Sequence, residues 1–198
     1  MTLQERIKFL LKKIGARIKG EAVIVANIKS FRLAEWVKNG SETLELVRLY
    51  AKTGKQSILD QLLATGAVLG HTEGHNLITT RGRSVLAERL AGGTTYTGEI
   101  NYGALGTGVS PVPANASTQL VGEVYRKLAS SQTFDNNICY VDFFYEATEV
   151  SGTFTEFSNV IDGTPTINSG RMWSYIATGG WTKSLTESLF VSCQYTIN

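Results

Sequence analysis

Residues 137–147 read NICYVDFFYEA, and this run decides which fold we predict from the sequence. Successive side chains of a β-strand point to opposite faces, so alternate residues belong together. Both alternating sets are largely apolar here, Cys139, Val141, Phe143 and Tyr145 on one face and Ile138, Tyr140 and Phe144 on the other. Only Asp142 breaks the pattern. A strand that is apolar on both faces is typical of the centre of a sheet, or of a sheet that a helix covers on one side.

Further strand-like runs lie on both sides of this one. Turns rich in Gly, Pro, Asn, Ser and Asp separate the runs EINYGAL, GEVYRKLAS, GTFTEFSNVI, GRMWSYIA and ESLFVSCQYTI. Frequent short strands with such turns indicate an antiparallel sandwich or barrel. A helix is predicted before them, over residues 80–91, because threonines precede it and two glycines follow it. The predicted fold class is therefore α+β, with a C-terminal antiparallel β-sandwich that carries one packed helix.

Charge is distributed unevenly along the 198 residues. Residues 1–70 hold 12 Lys and Arg against 6 Asp and Glu, whereas residues 71–198 hold 7 against 11. This asymmetry favours two modules and copies that attract one another head to tail, although solvated charge on surface helices explains it equally well. We predict a basic, mainly helical module over residues 1–70, a glycine-rich linker over 71–76 and the β-sandwich domain over 77–198.

The N-terminal segment carries an apolar stripe at helical spacing. The stripe predicts a helix over about residues 3–18 and consists of Leu3, Ile7, Leu10, Leu11, Ile14 and Ile18. Basic residues occupy its other faces. Such a helix can pack on its own domain, dock on a partner protein, contact nucleic acid or lie on a membrane. Docking on a partner is the functional hypothesis, and packing on the domain is the structural alternative. A strand is predicted over 22–28 and a second helix over 55–65.

The stretch NYGALGTG, residues 101–108, contains three glycines. A phosphate-binding loop needs Lys and Ser or Thr directly after its last glycine, but Val109, Ser110 and Pro111 follow here. Glycine also permits positive φ and close backbone approach at the end of a strand. We therefore predict a structural turn between strands, built on Gly103, Gly106 and Gly108, and no bound nucleotide.

No set of residues that could carry out catalysis emerges. There is no Gly-x-Ser-x-Gly run, and both histidines, His71 and His75, lie in the predicted linker without a third metal ligand. Cys139 and Cys193 fall in apolar runs that are typical of buried free thiols. The sequence predicts no enzyme activity, no cofactor, no metal and no membrane span. Three aromatic residues could form a surface anchor for a sugar or a protein, with core packing as the alternative: Trp173, Tyr175 and Trp181.

Residues 76–198 contain motifs in an order that resembles phage tail-collar fibre-type proteins and related small phage virion structural proteins. The first motif is NLITTRGRSVLAERLAGG, a short apolar helix that ends in small residues. The glycine run from Gly103 to Gly108 and the Glu-Val-Tyr-Arg from Glu123 to Arg126 follow, and the Phe-Thr-Glu-Phe from Phe154 to Phe157 comes next. A closing strand completes the pattern.

The resemblance implies a β-rich virion module that attaches one component to another and has no catalytic residues. Its implied partners are other virion proteins and symmetric copies of itself, with a location in the virion after synthesis in the host cytoplasm. Such modules usually precede a long fibre, whereas the sequence here ends at Asn198. This difference favours a tail, baseplate, neck or fibre-joining component, with a head decoration protein or a carbohydrate-binding module as alternatives. Nucleic-acid binding by the basic helix is a less favoured alternative.

Overall fold

The computed structural model describes residues 18–29, 45, 46, 49, 50, 53–64 and 68–197. In this part of the chain, two antiparallel sheets of five strands each accompany two longer helices. Sheet I has the order β2-β1-β10-β7-β6 and consists of β1 (Ile18–Lys29), β2 (Val68–Gly74), β6 (Ser131–Asp135), β7 (Ile138–Tyr145) and β10 (Glu187–Ile197). Sheet II has the order β3-β9-β8-β4-β5 and consists of β3 (Leu77–Ile78), β4 (Ile100–Gly106), β5 (Glu123–Leu128), β8 (Gly152–Ile161) and β9 (Arg171–Lys183). The helices are α1 (Gln56–Ala64) and α2 (Thr80–Leu90).

The β-rich part of the prediction is confirmed. All six predicted runs contain a strand, and the run at 137–147 becomes β7, which lies inside sheet I between β10 and β6. Strand β6 was missed, because SQTFD holds a single large apolar residue and lies exposed at the edge of the sheet. Its position depends on β7, to which a two-residue turn joins it, and Asn136 in that turn adopts a φ of 55°.

Helix α2 forms where a helix was predicted. Its N-cap is Thr79, whose Oγ1 accepts a hydrogen bond from Gly82 N at 3.0 Å. The same hydroxyl donates to Met172 O at 2.6 Å, and Thr79 N donates to Trp173 O at 2.9 Å. The residue that begins the helix therefore also attaches it to β9. Helix α1 matches the second predicted helix.

The predicted division of the chain at residues 71–76 is wrong. Residues 68–74 form β2, and β1 pairs with β2 on one side and with β10 on the other, from Ile18 opposite Ile197 to Lys29 opposite Glu187. Glycine weakens a strand without excluding it, and β2 forms at the edge of the sheet by pairing with β1. The N-terminal part of the chain thus contributes strands to the same sheet as the C-terminal part.

The two sheets share one hydrophobic core. Alternate residues of β10, namely Leu189, Val191, Cys193 and Tyr195, face this core with Val141, Phe143 and Tyr145 of β7. Sheet II contributes a set that includes Leu105, Phe154, Phe157 and Ile161. Rings from the two sheets meet directly, since Phe143 packs edge-on against Phe157 with centroids 5.8 Å apart. Contacts of this kind join the sheets into one body.

A second, smaller hydrophobic cluster lies on sheet II and is made of other side chains than the shared core. It consists of Tyr102, Ala104, Leu120, Val160, Met172 and Tyr175. Leu120 comes from the segment 107–122, which joins β4 to β5, so this segment packs on the sheet. Sheet II is therefore buried by the shared core and by its own long connection.

Both cysteines are free thiols. Because the thiol of Cys193 is buried, we expect the stability of the protein to depend on pH. Burial raises the pKa of the Cys193 thiol from an ordinary 9.0 to about 12. The thiol of the unfolded chain loses its proton at a lower pH than the thiol of the folded protein. The free energy of unfolding should therefore fall as the pH rises above the ordinary pKa of a cysteine thiol. When the pH rises from roughly 8 to 10, the free energy of unfolding of Cys193→Ala should fall by about 1 kcal/mol less than that of the wild type. Urea unfolding across this range measures the difference, and parallel curves would contradict the assignment.

Candidate functional site

Residues 101–106 of the glycine run NYGALGTG belong to strand β4, so the prediction of a tight turn built on this run is wrong. Gly103 lies inside β4, Gly106 is its last residue, and Gly108 lies in the segment 107–122. None of these three glycines has a positive φ. The predicted reason for glycine, close approach, is confirmed. A Cβ on Gly103 would lie 2.7 Å from the Phe143 ring, closer than real Cβ contacts come.

The other two glycines make room for a carboxylate. A Cβ on Gly106 would lie 2.5 Å from Oε1 of Glu156, and one on Gly108 would lie 2.6 Å from the same atom. Glu156 belongs to β8, which pairs with β4 so that Gly106 is opposite Glu156. Side chains at these two positions would displace the carboxylate. Gly106 and Gly108 are therefore matched to one buried acidic residue on the neighbouring strand.

Glu156 is completely buried and accepts four hydrogen bonds. Its Oε1 accepts from Gly108 N at 3.1 Å and from Gly122 N at 2.7 Å. Its Oε2 accepts from Val121 N at 3.0 Å and from the Tyr175 hydroxyl at 2.5 Å. Burial and the bond to Glu156 raise the pKa of Tyr175, so its hydroxyl stays a donor. Four donors compensate the loss of water around the carboxylate.

This carboxylate fixes both ends of the segment 107–122. Gly108 lies near its start and Val121 and Gly122 lie at its end, immediately before β5. A backbone bond from Thr107 N to Gly122 O, 2.8 Å long, closes the segment at its base. Glu156 thus acts as a positioning residue for the entry into β5. The sequence signal that could have revealed it is a charged residue inside the apolar strand run GTFTEFSNVI.

The surface that Glu156 positions is an open edge formed by two strands. β5 is the last strand of sheet II, β6 is the last strand of sheet I, and only two residues join them. In the described ranges of the chain, neither has a second strand beside it. We call these two strands together with Val121 the open edge. Its exposed apolar residues are Val121, Val124, Leu128 and Phe134, which are 68%, 44%, 56% and 84% exposed.

The charges on β5 are paired within the molecule. Arg126 Nε lies 2.5 Å from Glu123 Oε1, and both side chains are almost fully buried. Lys127 forms an ion pair with Glu149. Unpaired charges on an edge strand discourage the addition of another strand, and lysine is a common choice for that purpose. Because the cations of β5 are engaged, the open edge lacks this protection along β5.

The predicted aromatic anchor is not a surface feature. Trp173 and Trp181 are 7% exposed and Tyr175 is 1% exposed. A bulge in β9 explains the position of Trp181, because Gly179 and Gly180 adopt φ values of 73° and 102° and the strand shifts register against β8. The Trp181 ring then packs 5.6 Å from that of Phe157. The prediction of a surface anchor is therefore wrong, and its alternative of core packing is confirmed.

The other predicted sites fall partly outside the described residues. Of the partner-docking stripe, Leu3, Ile7, Leu10, Leu11 and Ile14 lie outside, and Ile18 begins β1 instead of ending a helix. His71 lies in β2, and the described residues contain no group of three His, Cys, Asp or Glu side chains that could hold a metal. No described helix is both long enough and apolar enough to cross a membrane.

Comparisons with known proteins identify no relative of this chain. No protein-family model, curated protein or solved structure matches this chain. The resemblance to phage virion proteins that the ordered motifs of residues 76–198 suggest stays a prediction. Structural support for a function must come from the open edge and the residues that position it.

Proposed function

We propose that this chain is a non-enzymatic structural protein of a bacteriophage particle that joins components through its open edge. The observation that carries the proposal is the pair of edge strands β5 and β6, which carry three exposed apolar side chains and have a fourth, Val121, directly before β5. Each edge strand offers a row of backbone donors and acceptors to an added strand. Apolar side chains along the same row give the added strand a surface to bury.

The rest of the molecule suits a rigid joint. We propose that the two sheets, which share a core, form a β-sandwich. Glu156 holds the entry to β5 in place, so the open edge is preorganised before a neighbour arrives. The motifs in residues 76–198 point to the tail, baseplate, neck or fibre-joining apparatus. A head decoration protein would use the same edge. The sugar-binding alternative is not supported, because the three aromatic residues predicted to contact a sugar are buried.

The neighbour that we favour is another copy of this chain. Virion components occur in symmetric arrays, and an edge that pairs with its equivalent in a second copy closes a two-fold contact. The paired ions of β5 also leave little charge repulsion between two identical edges. Other virion proteins with a free strand would fit the same surface.

The test places lysines on the open edge. The double variant Val124→Lys with Leu128→Lys should weaken self-association of the purified protein at least tenfold. A tenfold weakening corresponds to about 1.4 kcal/mol, and burying two unpaired charges in the interface costs more than that. Sedimentation across a concentration series measures the association, and circular dichroism checks the fold. Leu90→Lys is the matched control, since Leu90 is 81% exposed at the end of α2.

Particle composition provides the second measurement. The edge variant should be depleted from intact particles, whereas Leu90→Lys should be incorporated normally. Cryo-EM of the particle should show β5 and β6 buried against a neighbour. A wild-type protein that is monomeric at high concentration and absent from particles would overturn the proposal.

A further inference from the structure

We infer that a polar cleft on the outer face of sheet I binds basic side chains of the N-terminal segment, residues 1–17, of the same chain. The outer face is the one that points away from the shared core. The cleft has a volume of about 320 Å³. Its lining includes Ser131, Thr133, Asp135, Tyr140, Asp142 and Ser192. The inference uses the face of the sheet and not its strand edge, so it does not depend on the proposed assembly function.

Strand register places these side chains on one face. The core-facing residues of β7 alternate with Tyr140 and Asp142, which therefore point to the outer face. Ser192 of β10 and Ser131 of β6 lie directly opposite Asp142, and Thr133 of β6 lies opposite Tyr140. Residues directly opposite each other in antiparallel strands share a face. Three neighbouring strands thus contribute to one cleft.

The cleft is acidic and rich in hydrogen-bond acceptors. Its lining holds the carboxylates of Asp135 and Asp142 and no Lys, Arg or His. Asp142 and Ser192 are 6% and 5% exposed and form the floor, whereas Asp135 is exposed at the rim. The Ser192 hydroxyl donates to Oδ1 of Asp142 at 2.7 Å. A carboxylate accepts about four hydrogen bonds, so Asp142 can bind a cation while it keeps this bond.

The segment 1–17 joins the sheet close to this cleft. Ile18 begins β1 opposite Ile197 of β10, and Ile197 N donates to Asn137 O at 2.9 Å, in the turn between β6 and β7. Only β10 lies between β1 and β7. Neighbouring strands lie about 4.8 Å apart, so roughly 10 Å of sheet separates β1 from β7. A segment of this length spans several times that distance, and it therefore reaches the cleft.

The segment also carries the charge that the cleft lacks. It holds one acidic residue, Glu5, and five basic residues, namely Arg6, Lys8, Lys12, Lys13 and Arg17. Lys and Arg side chains are multiple hydrogen-bond donors without an acceptor, which suits a lining of carboxylates and hydroxyls. Covalent attachment raises the effective concentration of the segment to roughly millimolar, so the cleft binds the segment of its own chain in preference to that of a second copy.

The experiment titrates two peptides into one variant of the full chain and records amide chemical shifts by NMR. In this variant, called the neutral-arm variant, glutamine replaces the five basic residues of the segment 1–17. One peptide has the natural sequence of residues 1–17, and the other carries the same five glutamines. The natural peptide should shift the amides of Thr133, Tyr140 and Asp142. The glutamine peptide should bind at least about tenfold more weakly, because it lacks the charges that pair with a buried carboxylate.

Two results of this titration would overturn the inference. One is the absence of amide shifts in β6 and β7 at saturating natural peptide. The other is equal affinity for the two peptides, which would show that the basic side chains do not contribute to binding.

Variants of the cleft locate the contact. In the neutral-arm background, Asp142→Asn removes the charge at the floor but keeps an acceptor for the Ser192 hydroxyl, and it should weaken binding of the natural peptide at least about tenfold. Asp135→Asn changes only the exposed rim, where a substitution is tolerated, and should weaken binding about threefold. Glu146→Gln, at an exposed position just after β7, is the matched control and should leave the affinity unchanged. An affinity that survives both aspartate substitutions would contradict the assignment.

Dilution distinguishes the same chain from a second copy. In the wild type, the shifts of the cleft amides should not depend on protein concentration, because the segment and the cleft belong to one chain. Shifts that move toward those of the neutral-arm variant on dilution would show that a second copy supplies the segment, and they would overturn the assignment to the same chain.

Discussion

Replacing Glu156 by alanine is expected to destabilise the protein by about 3–5 kcal/mol, because a buried donor without an acceptor costs about 1–3 kcal/mol and four donors lose theirs together. The substitution leaves three backbone N–H groups and the Tyr175 hydroxyl without their acceptor in a site that excludes water. Urea unfolding followed by circular dichroism measures the loss. Because the segment 107–122 also loses its attachment, limited proteolysis near Val109 and Val112, which are 89% and 78% exposed, should become faster than in the wild type.

Two further variants separate the carboxylate from a general effect of mutation. Glu156→Gln keeps one oxygen and should cost less, about 1–3 kcal/mol, because two of the four donors keep an acceptor while the other two face an amide N–H₂. Glu146→Gln is the control, since Glu146 is exposed at the end of β7 and should change stability by less than about 0.5 kcal/mol. A Glu156→Ala protein within about 1 kcal/mol of the wild type would contradict the role given to this residue.

Gly103→Ala is expected to destabilise the protein by about 2–4 kcal/mol, from the upper part of the usual range for overpacking a core to slightly above it. The new Cβ would lie 2.7 Å from the ring of Phe143 and 2.8 Å from the hydroxyl of Tyr145, and both side chains are fully buried. Neither ring can move without disturbing the shared core. Chemical denaturation gives the change in the free energy of unfolding.

A double-mutant cycle with Phe143→Leu tests the cause. If the clash with Phe143 dominates, then Gly103→Ala should cost about 1–2 kcal/mol less in the Phe143→Leu background than in the wild type. Additive effects would show that the penalty arises from something other than this contact. They would also remove the explanation offered here for the first glycine of the run.

The sequence predicted some parts of the fold well and the candidate site poorly. Strand β7 and helix α2 were predicted because apolar periodicity and capping residues are local signals. The open edge was missed as a site because β6 has no such signal and takes its place from β7. The exposure of Trp181 was predicted wrongly because its position depends on a bulge at Gly179 and Gly180, which the pattern of residues does not reveal.

By itself, the sequence determined that the six apolar runs after residue 95 contain strands, and that these strands are antiparallel and separated by frequent turns, because these properties depend on neighbouring residues and on short connections. Only the tertiary structure decided why the glycines at 103, 106 and 108 are needed, since Phe143, Tyr145 and Glu156, which they approach, lie 40 to 50 residues further along the chain in β7 and β8. The same holds for β1, whose place in sheet I is set by pairing with β10 at the other end of the chain. Such contacts are fixed by packing and register across the whole molecule, and no local pattern encodes them.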